Sequence, residues 1–164
     1  MAYVISIKQP WAAFILHPEW FRSHDLHPKD VENRDWDIRP KIHQNLPVRV
    51  LIHTGKTPDD DLYDKKREVY KVPLLSRLED LVPDDMEAWA KEHCQNLGGI
   101  IGMVTITECV KWSESAWFGG PYGFVLEKPK PLPFMPLRGH PGIFRVNTNE
   151  VMDYMLSRGG SVAS

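Results

Sequence analysis

The sequence predicts an α+β fold in which several short strands form a small β-barrel and a few helices lie at its periphery. Segments with the two-residue alternation typical of strands recur along the chain and are joined by long connections. No repeated order of strand, helix and strand runs through the sequence, which disfavours a doubly wound sheet. Because 164 residues lie within the size range of one hydrophobic core, we expect one domain.

The predicted domain covers residues 1–158, with residues 57–96 forming a helical acidic elaboration and residues 159–164 a flexible tail. The middle segment is set apart by its charge, because residues 57–96 contain eleven Asp and Glu but only six Lys and Arg. The segments on either side are weakly basic. A solvated acidic surface explains residues 57–96 at least as well as a regulatory role.

The first third of the chain predicts a helix between strands. Pro10 suits a first helical turn, and Trp11, Phe14 and Ile15 place apolar side chains at helical spacing after it. The predicted elements are a strand at 3–7, a helix from Pro10 that ends before Pro18, a loop at 17–28, and strands at 31–36 and 48–53.

The remaining chain predicts surface helices, a long central strand and a closing helix. Asp side chains after Pro58 and Pro83 suit helix N-termini, and Asn147 with Glu150 fits a capping pair. The predicted elements are helices at 58–70 and 84–95, a strand at 100–110, a turn at 117–121, a strand at 122–126, a proline-rich link at 129–136, a strand at 143–146, and a helix to Ser157.

Several function classes find no support in the composition. No apolar stretch is long enough to cross a bilayer and no leader is recognised, so we expect a cytoplasmic protein with no membrane partner. Cys94 and Cys109 lack metal-ligand spacing and are expected to be structural thiols. Since no phosphate-binding loop, nucleophile elbow or zinc motif occurs, we expect a site with no metal and no cofactor.

Three segments taken in order resemble the ASCH family of the PUA-like superfamily. Residues 6–12 resemble its opening strand-to-helix signature, and residues 29–36 resemble its Lys-x-x-Glu-x-Arg-x-Trp motif. The third segment comprises residues 98–102, 117–124 and 136–139. The resemblance extends over about two-thirds of the chain. It implies a PUA-like β-barrel with a cleft between the first helix and residues 29–36, and a family whose members bind or process RNA and nucleotides.

The sequence also departs from the family's pattern. The loop at 17–28 is longer than the usual turn before the motif lysine, and residues 57–96 form an added segment between barrel strands. Some ASCH enzymes that remove an acetyl group from modified cytidine pair the motif lysine with a threonine three positions later. That position is Glu32 here, which departs from the threonine-dependent version of the chemistry.

The motif strand places complementary polar groups on one face. If residues 31–36 are extended, Glu32, Arg34 and Trp36 project to the same side. Arg can bind phosphate or a base edge and Trp can stack on a base, which favours a nucleotide ligand. The alternative is structural: an ion pair between Glu32 and Arg34, with Trp36 packed on the barrel.

Other candidates surround this strand. Lys8 and Lys29 would attract phosphate, and a desolvated lysine could act as a base. Trp117 and Phe118 precede two glycines and are harder to bury completely, whereas core packing is favoured for Trp11. The candidate nucleotide- or RNA-binding residues are Lys8, Gln9, Trp11, Arg34, Trp36, His53, Trp117, Phe118, Tyr122 and Arg138. The candidate catalytic residues, if the protein is an enzyme, are Lys29, Glu32 and Lys8.

Three functions follow from these residues. The leading hypothesis is a module that binds single-stranded RNA or a modified nucleotide in the cleft, with single-stranded DNA as a further partner to consider. The second is a metal-independent hydrolase, either a ribonuclease or a modified-nucleoside amidohydrolase, in which Lys29 and Glu32 exchange protons. The third is a protein-interaction module in which residues 57–96 contact a basic partner.

Overall fold

The computed structural model describes residues 1–70 and 83–159 and has a mixed α+β fold, as predicted. Its strands are β1 (Ala2–Ser6), β2 (Val31–Arg34), β3 (Val48–Thr54), β4 (Tyr63–Asp64), β5 (Val69–Tyr70), β6 (Gly99–Val110), β7 (Tyr122–Pro136) and β8 (Ile143–Val146). Its helices are α1 (Trp11–Leu16), α2 (Pro18–Ser23), α3 (Pro83–His93) and α4 (Thr148–Ser157), with a short 3₁₀ turn at Arg39–Lys41.

Six strands form one sheet in the order β2-β7-β6-β3-β1-β8. Strands β1 and β3 are parallel, and all other neighbours are antiparallel. Within the two described ranges, β2 and β8 are the outer strands and do not pair with each other, so strand pairing does not close a barrel. Strands β4 and β5 form a separate hairpin.

Side chains connect β2 to the other end of the sheet. Arg34, the last residue of β2, donates from Nη2 to the carbonyl oxygen of Ser6 at the end of β1, over 2.7 Å. Trp36 lies next to the segment before β8, since a Cβ at Gly142 would be 3.7 Å from its Cζ2 atom. The sheet therefore curls until its two sides approach at this end.

Among residues 1–70 and 83–159, the core consists of three apolar clusters. The largest contains alternate residues of β1, β3, β6 and β7 under α1, including Ile5, Ile52 and Phe124. The opposite alternate residues, such as Val4 and Leu51, pack with α4. The third cluster joins α1, α2 and α3. Because neighbouring residues of a strand face opposite sides, the same strands supply both of the first two clusters.

Most predicted elements are confirmed. The strands near 3–7, 31–36, 48–53, 100–110 and 143–146, the first helix and the helix near 84–95 all form, with ends shifted by a few residues. Helix α4 ends at Ser157, and the Asn147 side chain accepts from the Asn149 and Glu150 amides, as expected of an N-cap.

The predicted loop at 17–28 is wrong in part, because Pro18–Ser23 is the helix α2. Pro18 occupies a first-turn position, where its missing amide hydrogen costs no hydrogen bond. Phe21 is fully buried and contacts Phe14 edge to face, with ring centroids 5.4 Å apart. Tertiary packing thus stabilises a helix too short to show a clear period.

The predicted helix at 58–70 is also wrong, because this segment contains the β4–β5 hairpin. The carboxylates of Asp59 and Asp64 accept from amides two residues later, which stabilises turns instead of a helix start. Tyr63 and Tyr70 pair across the hairpin with ring centroids 4.9 Å apart.

The proline-rich segment at 129–136 is not a link but the second half of β7. Strand β2 pairs with β7 only over residues 122–125, so one edge of the later part has no paired strand among the described residues. Prolines, which lack an amide hydrogen, are tolerated along such an edge.

The remaining expectations concern the tail, the acidic elaboration, the cysteines and membrane helices. Residues 160–164 of the predicted tail, and 71–82 within the acidic elaboration, lie outside the described residues. Cys94 and Cys109 are both buried and free. No helix in residues 1–70 and 83–159 is long and apolar enough to cross a membrane.

Candidate functional site

One large cleft lies where β1 and β3 end, between β2 and the segment that connects β7 to β8. Its volume is about 1230 Å³. Five parts of the chain line it. They are residues 6–8 with Trp11, residues 32–34, residues 53–59 without Thr54 and Pro58, Gly98, and residues 136–142. Segments distant in sequence thus meet around one accessible space.

The cleft brings together six of the predicted site residues. Lys8, Trp11, Glu32, Arg34, His53 and Arg138 all line it. Lys56, which was not predicted, adds a fourth lysine or arginine to the lining, against the two carboxylates of Glu32 and Asp59. The cleft therefore carries an excess of positive charge on a chain whose formal net charge is −2.

Three of these cations are unpaired. Lys8, Lys56 and Arg138 are exposed, and their side chains make no hydrogen bond or ion pair with the described part of the chain. Lys8 and Lys56 follow β1 and β3 respectively. Because these strands are parallel, the residues after them emerge at the same edge of the sheet. This relation explains the position of Lys56.

Glu32 and Arg34 lie next to each other on β2. Arg34 Nη2 is 3.9 Å from Glu32 Oε2 and 2.7 Å from the Ser6 carbonyl oxygen, to which it donates. Glu32 is only 8% exposed, and its Oε2 atom has no hydrogen-bond partner in the described residues. The cleft wall thus contains a buried carboxylate oxygen with unused acceptor capacity.

His53 fixes the opposite part of the lining. Its Nε2 atom is 2.6 Å from the Leu137 carbonyl oxygen, which can only accept, so Nε2 carries a hydrogen. In the neutral ring, Nδ1 is then an acceptor, and this buried atom has no partner in the described residues. A Cβ at Gly139 would lie 2.3 Å from His53 Cε1, so the Gly139 backbone packs directly on the imidazole.

Trp11 is held by the segment after β3. Its indole Nε1 donates to Asp59 Oδ2 over 2.8 Å, and the Asp59 amide donates to the Gln9 carbonyl oxygen over 2.9 Å. Gln9 itself is buried, and its side-chain oxygen accepts from the Ala13 amide. Gln9 therefore stabilises the start of α1 and is not part of the lining.

Lys29 lies behind the lining and not in it. It is 4% exposed, and its Nζ atom donates to the Val31 carbonyl oxygen over 2.6 Å. The same atom is 5.2 Å from the Trp11 ring centroid and 5.4 Å from that of Trp117. Burial lowers the pKa of Lys29, and the Arg34 charge lowers it further, against an opposing effect of Glu32.

The remaining predicted residues pack outside the cleft. Trp36 lies beyond the end of β2, where the strand's alternation stops, and contacts Phe124 edge to face with ring centroids 5.3 Å apart. Tyr122 also packs against the core. Trp117 donates from its indole to the His27 carbonyl oxygen, and Phe118 lies against Gly123.

A second cavity, of about 680 Å³, lies beside the 3₁₀ turn and the end of β6. Its lining includes Arg39, His43, Glu108 and Cys109. Arg39 is bound to Asp37 through both Nε and Nη2, and burial raises the pKa of the Cys109 thiol. This cavity therefore offers no free arginine and a thiol that stays protonated.

The chain matches no known protein-family model and no curated protein sequence. Within the described residues, no three His, Cys, Asp or Glu side chains are grouped so as to hold a metal ion.

Proposed function

We propose that the cleft binds a nucleotide, in the first instance a residue of single-stranded RNA. The observation that carries this proposal is the meeting of Lys8, Glu32, Arg34, His53 and Arg138 around one accessible space. Unpaired cations and a partly buried indole are the groups that bind phosphates and bases in single-stranded nucleic acids.

The charge distribution supports an anionic ligand. Lys8, Lys56 and Arg138 project into the cleft without protein partners, although the chain as a whole is slightly negative. Positive charge concentrated in a concave surface raises the local concentration of phosphate groups. The Trp11 ring lines the same space and is held by Asp59, so it can stack on a base without a change in its position.

We also propose that the chain belongs to the ASCH family and that its sheet is a PUA-like barrel. The motif residues Glu32 and Arg34 line the cleft together with Lys8 and Trp11 of the opening signature and Arg138 and Gly139 of the last one. This supports membership of the ASCH family. The curled sheet, bridged by the Arg34 side chain where strand pairing is absent, supports a PUA-like barrel that is open on one side.

Binding of a fluorescently labelled uridine-rich RNA, followed by anisotropy over a range of salt concentrations, tests the function. Affinity should fall as salt rises, because each neutralised phosphate releases counterions. Lys8→Gln and Lys56→Gln should each weaken binding and reduce the slope of log affinity against log salt by about one. Arg39→Gln, in the second cavity, is the matched control and should leave the slope unchanged.

Two outcomes would contradict the proposal. The first is the absence of RNA binding at low salt by protein that is folded by circular dichroism, and the second is binding that does not change with salt. The same sequence made as DNA separates the two nucleic acids, because only RNA offers 2′-hydroxyl groups.

A hydrolase is the second candidate, and the environment of Lys29 favours it. Burial lowers the pKa of Lys29, which favours the neutral amine that a general base requires, and Glu32 is close enough to influence its charge. Since Lys29 lies behind Trp11, a substrate would reach it only if the indole moved. Turnover of modified nucleosides or RNA that is lost in Lys29→Met, with folding retained, would support this function. No turnover above that of a mock preparation would exclude it.

A further inference from the structure

The cleft contains two buried acceptors that the protein leaves unsatisfied. Glu32 Oε2 and His53 Nδ1 have no hydrogen-bond partner in the described residues, and their residues are 8% and 2% exposed. An ionised carboxylate only accepts, and in a neutral His53 ring Nδ1 accepts because Nε2 donates to Leu137. Buried polar atoms without partners are costly, so both atoms are suited to a ligand that supplies hydrogens.

The other unpartnered buried atoms lie elsewhere and have the opposite character. Gln9 Nε2 and Arg49 Nε are donors, and neither residue lines the cleft. Among described side chains, the unsatisfied acceptors are therefore concentrated in the cleft. This distribution distinguishes its lining from the rest of the interior.

The free cations restrict what the ligand can be. A metal ion or an amine could satisfy two acceptors, but Lys8, Lys56 and Arg138 line the same space and repel positive charge. Arg34 lies 3.9 Å from the same Glu32 oxygen. The complementary ligand is therefore an anion that carries neutral N–H or O–H donors, which describes a nucleotide contacted through a donor-bearing base edge.

On the basis of the proposed function, we propose that the cleft selects guanine, with Glu32 accepting from its N1–H and N2 amino groups. Guanine alone among the four RNA bases has two adjacent N–H donors on its Watson–Crick edge. Adenine and cytosine place a ring acceptor beside the amino group, and uracil places carbonyl oxygens on both sides of its N–H. A buried carboxylate repels those acceptors, and His53 provides a further acceptor in the same lining.

The test compares five-nucleotide RNAs that differ only in the central residue between uridines. Wild-type protein should bind the guanosine RNA at least about tenfold more tightly than those with adenosine, cytidine or uridine. Inosine, which keeps N1–H but lacks the amino group, should bind with intermediate affinity. Intrinsic tryptophan fluorescence or anisotropy gives the affinities.

Glu32→Gln provides the decisive variant because an amide both donates and accepts. It should abolish the guanosine preference, because an amide matches the N–H and neighbouring carbonyl of xanthosine or uridine, and also the amino group and ring nitrogen of adenosine or cytidine. Glu108→Gln removes the same charge from the lining of the second cavity and should keep the guanosine preference. A merely structural role for Glu32 would weaken all RNAs alike and would leave the guanosine preference in place.

The outcomes separate this inference from the proposed function. Similar affinities for all central residues, or a guanosine preference that survives in folded Glu32→Gln, would overturn guanine selection and leave RNA binding intact. Failure to bind any of these RNAs would overturn both. Melting temperatures confirm that the variants are folded, and His53→Asn, which can replace the donor to Leu137, should reduce affinity for the guanosine RNA as a second measurement.

Discussion

The cleft and the second cavity are both lined by basic, acidic and histidine side chains, but they differ in how those groups are used. In the second cavity, Arg39 is bound to Asp37, and the pKa of Asp37 is lowered to about 2 by hydrogen bonds from Arg39. In the cleft, the side chains of Lys8 and Arg138 have no partner in the described chain, and a buried oxygen of Glu32 accepts no hydrogen bond there. Unused hydrogen-bonding capacity therefore identifies the cleft as the functional candidate.

The largest expected effect concerns Lys29, which supports the cleft from behind. Because burial lowers its pKa, the unfolded chain binds a proton that the folded chain has released at pH values between the folded pKa and the ordinary value of 10.5. Stability should therefore rise with pH through the window between the folded pKa and 10.5. Lys29→Met lacks this contribution. Urea denaturation at a series of pH values from about 7 to about 10 should show the wild type gaining stability relative to the variant.

A difference in unfolding free energy that stays constant or falls over this range would contradict the assignment. Lys130→Met, a lysine on β7 that is less buried, is the matched control. Its difference from the wild type should change less with pH.

Next in size is the effect of filling the space between Gly139 and His53. Gly139→Ala would place a Cβ 2.3 Å from Cε1 and 2.6 Å from Nδ1 of the ring, so the connecting segment or the imidazole must move. We expect a loss of about 1–3 kcal/mol in unfolding free energy and a weaker affinity for RNA. Gly119→Ala, whose nearest contact would be 3.7 Å away, should change neither quantity. Equal stability of the two variants would refute the close packing.

A charge reversal in each cavity tests the comparison directly. Arg138→Glu should reduce RNA affinity about tenfold or more at low salt, because an attraction for phosphate becomes a repulsion. Arg39→Glu makes the same change outside the cleft and should have little effect. Equal losses in the two variants, measured by anisotropy, would mean that RNA contacts both cavities or responds only to net charge.

The smallest effect is expected at a residue that lines neither cavity. Asn147→Ala removes the side chain that accepts from the Asn149 and Glu150 amides at the start of α4. We expect a loss of about 1 kcal/mol in unfolding free energy, with unchanged RNA affinity. If affinity fell as well, the binding differences above would reflect general destabilisation.

Much of the fold could be predicted because local patterns and packing agree there. The alternation in residues 100–110 and the cap at Asn147 both correspond to elements of the structure. The errors lie where one residue type serves two purposes. Aspartates such as Asp59 can start a helix or stabilise a turn, and a proline can end a strand or lie on its free edge.

The site residues show a similar division. The motif spacing predicted that Glu32 and Arg34 share a face, and both line the cleft. Sequence reasoning could not distinguish the exposed Lys8 from the buried Lys29, because burial depends on the positions of Trp11 and Trp117. It also missed Lys56 and Asp59. Lys56 could have been found from the parallel pairing of β1 and β3, which the sequence does not show.

The hydroxyl of Ser6 donates to the carbonyl oxygen of His140, which is 134 positions further along the chain. Such a contact forms only after β1 and the β7–β8 connection have both reached their final places, and closing so long a loop is entropically costly. No fragment that lacks either end should retain the ligand. Binding of a ligand in the cleft would therefore report that the whole chain has folded. A bound ligand should also raise the melting temperature of the entire chain in proportion to the logarithm of the ligand concentration.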